Sequence, residues 1–240
     1  MSRRPLAALL FDLDGTLVDT APDLAYALNT LLEEEGERPL PLSEIRPHVS
    51  HGTTALLRHG FGITPEEERF PHLRQRILDL YRDNISRQST LFPGIEPLLT
   101  KMEAAQLPWG VVTNKPAFLT EPLLRALHLS PRMAAIVSGD TLPQAKPHPA
   151  PLLYACEKMG VSPVNTLYIG DAQRDIEAGK AAGMETIAAG WGYIEATTVI
   201  GEWGADTIVH STSELFSLLS PRLSPGRVVD AKDHPAVTDA

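Results

Sequence analysis

The apolar run Leu6-Ala7-Ala8-Leu9-Leu10-Phe11 breaks off at Asp12 and Asp14, the pattern of a buried strand emptying into a polar loop. After residue 90 the pattern recurs. The β-rich runs Trp109–Thr113, Ala135–Ser138, Thr166–Ile169, Glu185–Ala189 and Asp206–Val209 are each followed closely by Gly, Asn or Ser, with amphipathic segments between them. Strands alternating with helical stretches predict βαβ units and a doubly wound, Rossmann-like α/β core built on a parallel sheet. Between residues 20 and 90 the period changes. Leu24, Leu28, Leu31 and Leu32 fall at i, i+4, i+7 and i+8, and Phe70, Leu73, Ile77, Leu80 and Tyr81 also keep a helical period. Thr20 with Asp23 three residues on matches a capping box at the start of the first of these helices.

The expected organisation is therefore a core made of residues 1–18 and 92–220, interrupted by a helical insertion over 19–91 that rejoins near Phe92-Pro93-Gly94. Residues 221–240 carry three prolines and little periodicity, and are expected to be a flexible tail. No internal repeat is visible.

Composition narrows the class. A chain of 240 residues that is 43% hydrophobic can bury a sizeable core. Its formal charge of -9 and pI near 5.3 would repel a phosphate backbone, so no nucleic-acid partner is expected. The one cysteine, Cys156, excludes an internal disulfide and suits a reducing compartment, where it is expected to fill core. The basic, apolar start MSRRPLAALL meets Asp12 too soon for a secretory signal, and no run approaches the ~18 apolar residues that suggest a membrane span. These features predict a cytoplasmic protein with no membrane partner, a monomer or homodimer.

The remaining polar clusters also follow predicted strands: Thr113-Asn114-Lys115, Lys146-Pro147-His148-Pro149, and Gly170-Asp171-Ala172-Gln173-Arg174-Asp175. Taken singly, these read as a helix cap, a surface lysine and a solvated first helical turn. Together with Asp12 and Asp14 they lie on one sheet edge, where open α/β sheets bind their ligands. The residue types suit phosphoryl transfer. A carboxylate can act as nucleophile and split a displacement into two easier steps. Asp12 and Asp171 offer the hard oxygen ligands that Mg2+ takes, Lys146 a point charge and Thr113 a hydroxyl for phosphate oxygens, and Asp14 a second acid for proton transfer.

The set of motifs resembles the haloacid dehalogenase superfamily of phosphatases, in particular its phosphoglycolate phosphatases, from about Leu6 to Leu219. FDLDGTLVDT resembles the first motif, VVTNK the second, AKPHP the third and GDAQRD the fourth. The resemblance implies Asp12 as nucleophile and Asp14 as acid/base, with the Asp14 carbonyl on the metal. It implies phosphate contacts from Thr113, Asn114 and Lys146, Mg2+ held also by Asp171, and Asp175 as a ligand or water-holding group. It further implies that the 19–91 insertion is the family's helical cap, closing over a small-molecule phosphate ester about hinges at Gly94 and Asp19 to Ala21. Asp14 argues against carbon–halogen cleavage, and Thr16, where sugar phosphomutases often carry Val, favours hydrolysis. Substrate-reading residues are expected in the segment Ile45 to Gly52, with Arg46, His48, Ser50 and His51 the candidates and Arg46 or a histidine facing a substrate carboxylate. GWGYI at 190–194 resembles a subgroup acting on N-acetylmuramic acid 6-phosphate, the second substrate expectation. Trp191 and Tyr193 could stack on a sugar there, although core filling is the commoner role of aromatics after a strand.

Overall fold

The computed structural model describes residues 6–223, so the expected tail lies outside the described residues apart from 221–223. Those three do not hang free of the core. Arg222 Nη1 and Nη2 donate to Glu185 at 3.0 and 2.9 Å, and Leu223 is buried.

The chain enters through β1 (Ala8–Phe11), then β2 (Val18–Asp19), α1 (Ala21–Glu34), α2 (Leu42–Ile45), a 3-10 turn over Arg46–His51, α3 (Gly52–Phe61), α4 (Phe70–Asp83) and β3 (Thr90–Leu91). It continues as α5 (Ile95–Ala104), β4 (Trp109–Val112), α6 (Ala117–Ala126), β5 (Ala135–Val137), α7 (Ala150–Met159), β6 (Thr166–Gly170), α8 (Gln173–Ala181), β7 (Glu185–Ala189), β8 (Thr207–Val209) and α9 (Thr212–Leu219). Six strands form one parallel sheet in the order β5-β4-β1-β6-β7-β8. The chain builds outward from β1 to β4 and β5, then returns to lay β6 on the other side of β1. That reversal makes a switch point, the place where an open parallel sheet leaves a crevice at its strand ends.

The sheet is buried on both faces, which is why its strands read as continuous apolar runs. Leu9, Phe11, Val111 and Ile169 point into one layer with Leu98, Leu123 and Leu215 from α5, α6 and α9. Leu10, Val112 and Tyr168 point the other way, toward Leu152, Ala155 and Cys156 of α7 and Ala178 of α8. Cys156 is core, its Sγ 3.5 Å from Thr166 Oγ1.

Residues 20–89 are helical throughout their long elements. α1 buries Leu24, Leu28, Leu31 and Leu32, and α4 buries Phe70, Leu73, Ile77, Leu80 and Tyr81, the stripes the periodicity predicts. The two helices pack on each other, with α3 against both. The insertion leaves and re-enters through a two-stranded antiparallel ribbon, Val18 opposite Leu91 and Asp19 opposite Thr90.

The capping box at α1 does not form. The Thr20 hydroxyl donates to Asp14 Oδ1 at 2.5 Å, and the buried Asp23 carboxylate accepts from Gln88 N, Ser89 N and Ser89 Oγ at 2.7 to 3.1 Å. Long-range partners outcompete the local pairing, because a buried carboxylate needs several donors and the returning chain supplies three. Among the described residues no helix is long and apolar enough to cross a membrane.

Candidate active site

Four loops bring polar side chains to the switch point. Asp12 follows β1, Thr113 follows β4, Lys146 comes after β5, and Asp171 follows β6. All four are buried.

Lys146 is the hub. Its Nζ lies 2.7 Å from Asp12 Oδ1 and 2.7 Å from Asp175 Oδ1, and donates to Val112 O and Tyr168 OH at 2.8 Å each. An ammonium this deep is tolerable only because carboxylates and carbonyl dipoles replace its water. Asn114, expected among the phosphate contacts, spends its side chain on positioning this lysine. Its Nδ2 donates to Lys146 O at 2.8 Å and its Oδ1 accepts from Lys146 N at 3.0 Å. Thr113 Oγ1 accepts from Lys115 N at 3.1 Å, fixing the turn after β4.

Asp12, Asp171 and Asp175 each offer an oxygen, and these three oxygens lie within 4.8 Å of one another. Such crowding is electrostatically costly. Burial, then the charges of Asp12 and Asp175, push the Asp171 carboxyl up to about 7, and burial likewise raises Asp175, opposed by Lys146. The cluster is therefore short of positive charge, and its all-oxygen donor set is that of a hard divalent cation. The backbone is shaped around Asp171. A Cβ on Gly15, at φ +85°, would fall 2.2 Å from Asp171 Oδ2, and one on Gly192 would fall 2.2 Å from Asp171 Cβ. Tyr193 N and Ser50 Oγ donate to Oδ2 at 2.9 and 2.8 Å, and Thr16 Oγ1 donates to Oδ1 at 3.1 Å. Asp175 is held differently: its Oδ2 accepts from Ala172 N at 3.0 Å at the start of α8, while its Oδ1 faces Lys146.

The side chain of Asp14 is outside this oxygen cluster. It is partly exposed, with Oδ1 accepting from Thr20 Oγ1 and, at 2.8 Å, from Lys115 Nζ. Lys115 also donates to Tyr81 OH at 2.9 Å, so it joins the acid loop to α4. Sequence reasoning named Lys115 only as part of a cluster; its position beside the second acid was not visible, because the contact spans 101 residues.

The 45–52 segment divides. Ser50 reaches the carboxylate centre, and its carbonyl accepts from Arg174 Nη2 at 2.6 Å. Arg46, expected with the histidines as a candidate to face a substrate carboxylate, is paired with Asp19. Its Nη1 lies 3.0 Å from both oxygens of Asp19, and its guanidinium packs over Tyr193 at 4.9 Å and Phe92 at 5.9 Å. His48 and His51 face Glu195, from the loop after β7, at 3.4 and 3.6 Å. Tyr193 is buried, its phenol accepting from Thr20 N and Ala21 N at 2.7 and 2.9 Å and donating to Asp19 Oδ1 at 2.8 Å. Trp191 Nε1 donates to Thr16 O at 3.2 Å. Both aromatics hold the insertion and the first loop, the commoner of the two roles read from the sequence.

The family model for haloacid dehalogenase-like hydrolases matches residues 9–189. The chain is 40% identical over 223 residues to the N-acetylmuramic acid 6-phosphate phosphatase of Pseudomonas aeruginosa, covering 93% of this chain and 99% of that one. It is 41% identical over 209 residues to the phosphoglycolate phosphatase of Xanthomonas campestris, covering 87% and 94%. Among solved structures, a predicted phosphoglycolate phosphatase from Haemophilus somnus superposes with a TM-score of 0.78 at 28% identity, over 90% of this chain and 99% of that one. A chain whose family match runs from β1 to the end of β7, across every strand that contributes to the buried centre, belongs to the haloacid dehalogenase-like hydrolases and is a phosphatase.

Proposed function

We propose that this phosphatase hydrolyses the phosphate monoester of a small hydroxy compound through a covalent phospho-Asp12, with 2-phosphoglycolate the first candidate substrate. The observation that carries the mechanism is the convergence of Asp12, Asp171, Asp175 and Lys146 in one buried cluster at the switch point. The substrate rests on relatives about 40% identical that carry the phosphoglycolate name.

In this reading an Asp12 carboxylate oxygen attacks phosphorus and the ester P–O bond breaks. The leaving alkoxide takes a proton from Asp14; a water then attacks phosphorus, gives its proton to Asp14 and releases the Asp12 carboxylate and inorganic phosphate. Lys146 neutralises charge beside Asp12, Thr113 offers its hydroxyl to the phosphoryl oxygens, and Lys115 orients Asp14. Mg2+ held by Asp12, Asp171 and the Asp14 carbonyl would supply the remaining positive charge, with Asp175 a ligand or a holder of metal-bound water. The shortage of cation at Asp171 and the glycine-lined space around it support that assignment. We read 19–91 as a cap that closes over the crevice, turning about the β2–β3 ribbon, with 1–18 and 92–220 as the catalytic core.

A second substrate, N-acetylmuramic acid 6-phosphate, is favoured by the near end-to-end match to the Pseudomonas aeruginosa enzyme. Phosphate release with and without Mg2+ from 2-phosphoglycolate, N-acetylmuramic acid 6-phosphate, β-glucose 1-phosphate and an aryl phosphate tests the reading, with Asp12→Asn as blank. Strong preference for one ester names the substrate. Equal turnover of all four removes the substrate assignment, and metal-independent release removes Mg2+.

A further inference from the structure

The 3-10 turn, α3 and the loop after β7 line an open cavity of about 620 Å³, within the size range of small-molecule sites. Its polar lining is rich in nitrogen donors: Arg58, a fixed cation, and the imidazoles of His48, His51 and His59, with Thr54, against one acid, Glu195. That is unexpected in a chain of charge -9. The chain links the two places: His51, on the cavity wall, directly follows Ser50, whose hydroxyl donates to Asp171.

The lining groups are loosely committed. Glu195 Oε1 stands 3.4 Å from His48 Nδ1 and 3.6 Å from His51 Nε2, both longer than a good charge-assisted hydrogen bond. The carboxylate nonetheless marks where an acid meets both imidazoles. The rings of His48 and His59 stack at 4.3 Å, and His59 Nε2 is buried with no hydrogen-bond partner among the described residues. Arg58 takes part in no ion pair among the described residues, in contrast to Arg46, which is held by Asp19. Arg58 sits on α3, so its guanidinium is carried by the insertion while the phosphate is held by the core.

We propose that this cavity is a carboxylate subsite, in which Arg58 and His51, with His48, read an acid group on the alcohol portion of the ester, so that the substrates are phosphate esters of hydroxy acids. The proposal rests on the phosphatase reading and deepens it. It also accounts for a likeness between the two substrates named by the relatives: glycolate and muramic acid differ greatly in size, yet each carries a carboxylate on the part that leaves. A subsite for that group explains how one architecture serves both, since a substrate lacking the acid forgoes the pairing with Arg58 and the imidazoles.

The test uses matched esters on the full chain: 2-phosphoglycolate against ethyl phosphate, and N-acetylmuramic acid 6-phosphate against N-acetylglucosamine 6-phosphate. For each pair the ratio of kcat/KM, acid over neutral, is measured for the parent, Arg58→Ala, His51→Ala and Arg58→Lys. The parent is expected to favour the acid in at least one pair. Arg58→Ala should cut that ratio tenfold or more through KM, His51→Ala severalfold, and Arg58→Lys should restore part of it. Lys158→Ala, which removes a cation outside the cavity, should leave the ratio unchanged. Arg58 and His51 are both exposed, so folding of these variants is not at stake. Parent ratios near one, ratios unchanged in Arg58→Ala and His51→Ala, or an equal fall in Lys158→Ala, would each overturn the subsite while leaving the phosphatase standing. Release of phosphate from no ester would sink the phosphatase reading and this proposal with it.

Discussion

The carboxylate centre and the cavity beneath α3 are neighbours built on opposite plans. At the centre the charged groups are buried, and most are held several times over: Lys146 by four partners, Asp171 by three donors. In the cavity the charged groups are half-exposed, spaced beyond ideal hydrogen-bond length, or unpaired. The groups to which the proposed mechanism gives the phosphoryl group are fixed by the ends of four strands. The groups proposed to meet the variable part of the substrate lie on a helix and a turn that can change without disturbing the sheet. Electrostatic preorganisation needs the first arrangement, and selectivity tolerates the second.

The largest effect expected of this contrast is at the centre. Asp12→Asn should lower kcat by about 10⁴-fold or more while the thermal unfolding midpoint stays close to the parent's. Phosphate release near the parent rate would remove the nucleophile. Asp171→Asn should weaken Mg2+ binding by about 10- to 100-fold, read by calorimetric titration rather than turnover; unchanged affinity would move the metal away from this cluster. Lys115→Met should reduce kcat by about 10- to 100-fold with little change in KM, since the lysine acts on the second acid and not on ground-state binding. A pure KM effect would reassign it to the substrate.

Where insertion meets core the effects should be smaller. Ser50→Ala removes one hydrogen bond to a carboxylate while Arg174 still grips the Ser50 carbonyl, so kcat/KM should fall about tenfold. A loss as large as that of Asp12→Asn would erase the distinction between the two regions. The smallest effect concerns pH. Burial, then the charge of Arg174, holds His51 below its usual 6.5, so the folded protein binds fewer protons than the unfolded chain as pH falls through 6.5. Stability present above that pH is therefore lost below it. His51→Gln should flatten this part of the dependence of the unfolding midpoint on pH; parallel curves for variant and parent would show that His51 does not contribute to it.

This difference in plan also governs what could be read from the sequence. The strands were legible because burial on both faces leaves uninterrupted apolar runs, and after four of them, β1, β4, β5 and β6, the run gives way to the candidate polar residues. α1 and α4 were legible from their leucine spacing. The β2–β3 ribbon was not, since two residues per strand leave no pattern. The Thr20–Asp23 pair misled because its local signature is the same whether the groups cap a helix or reach 65 residues along the chain. Arg46 and Arg58 look alike in sequence, and only the pairing of one with Asp19 separates them. Glu195 carried no signal, because it is a single acid in the loop after β7 and the histidines it faces lie more than 140 residues away in sequence.

The ribbon has one more consequence. Val18 and Leu91 are paired neighbours although 70-odd residues separate them in sequence, so the ends of the insertion already stand about 5 Å apart. A splice at these two positions asks the core for no new path, whatever lies between. Exchange of the whole segment between relatives takes two joins that already lie side by side, so a core of this kind can accept a different insertion while its sheet stays as it is.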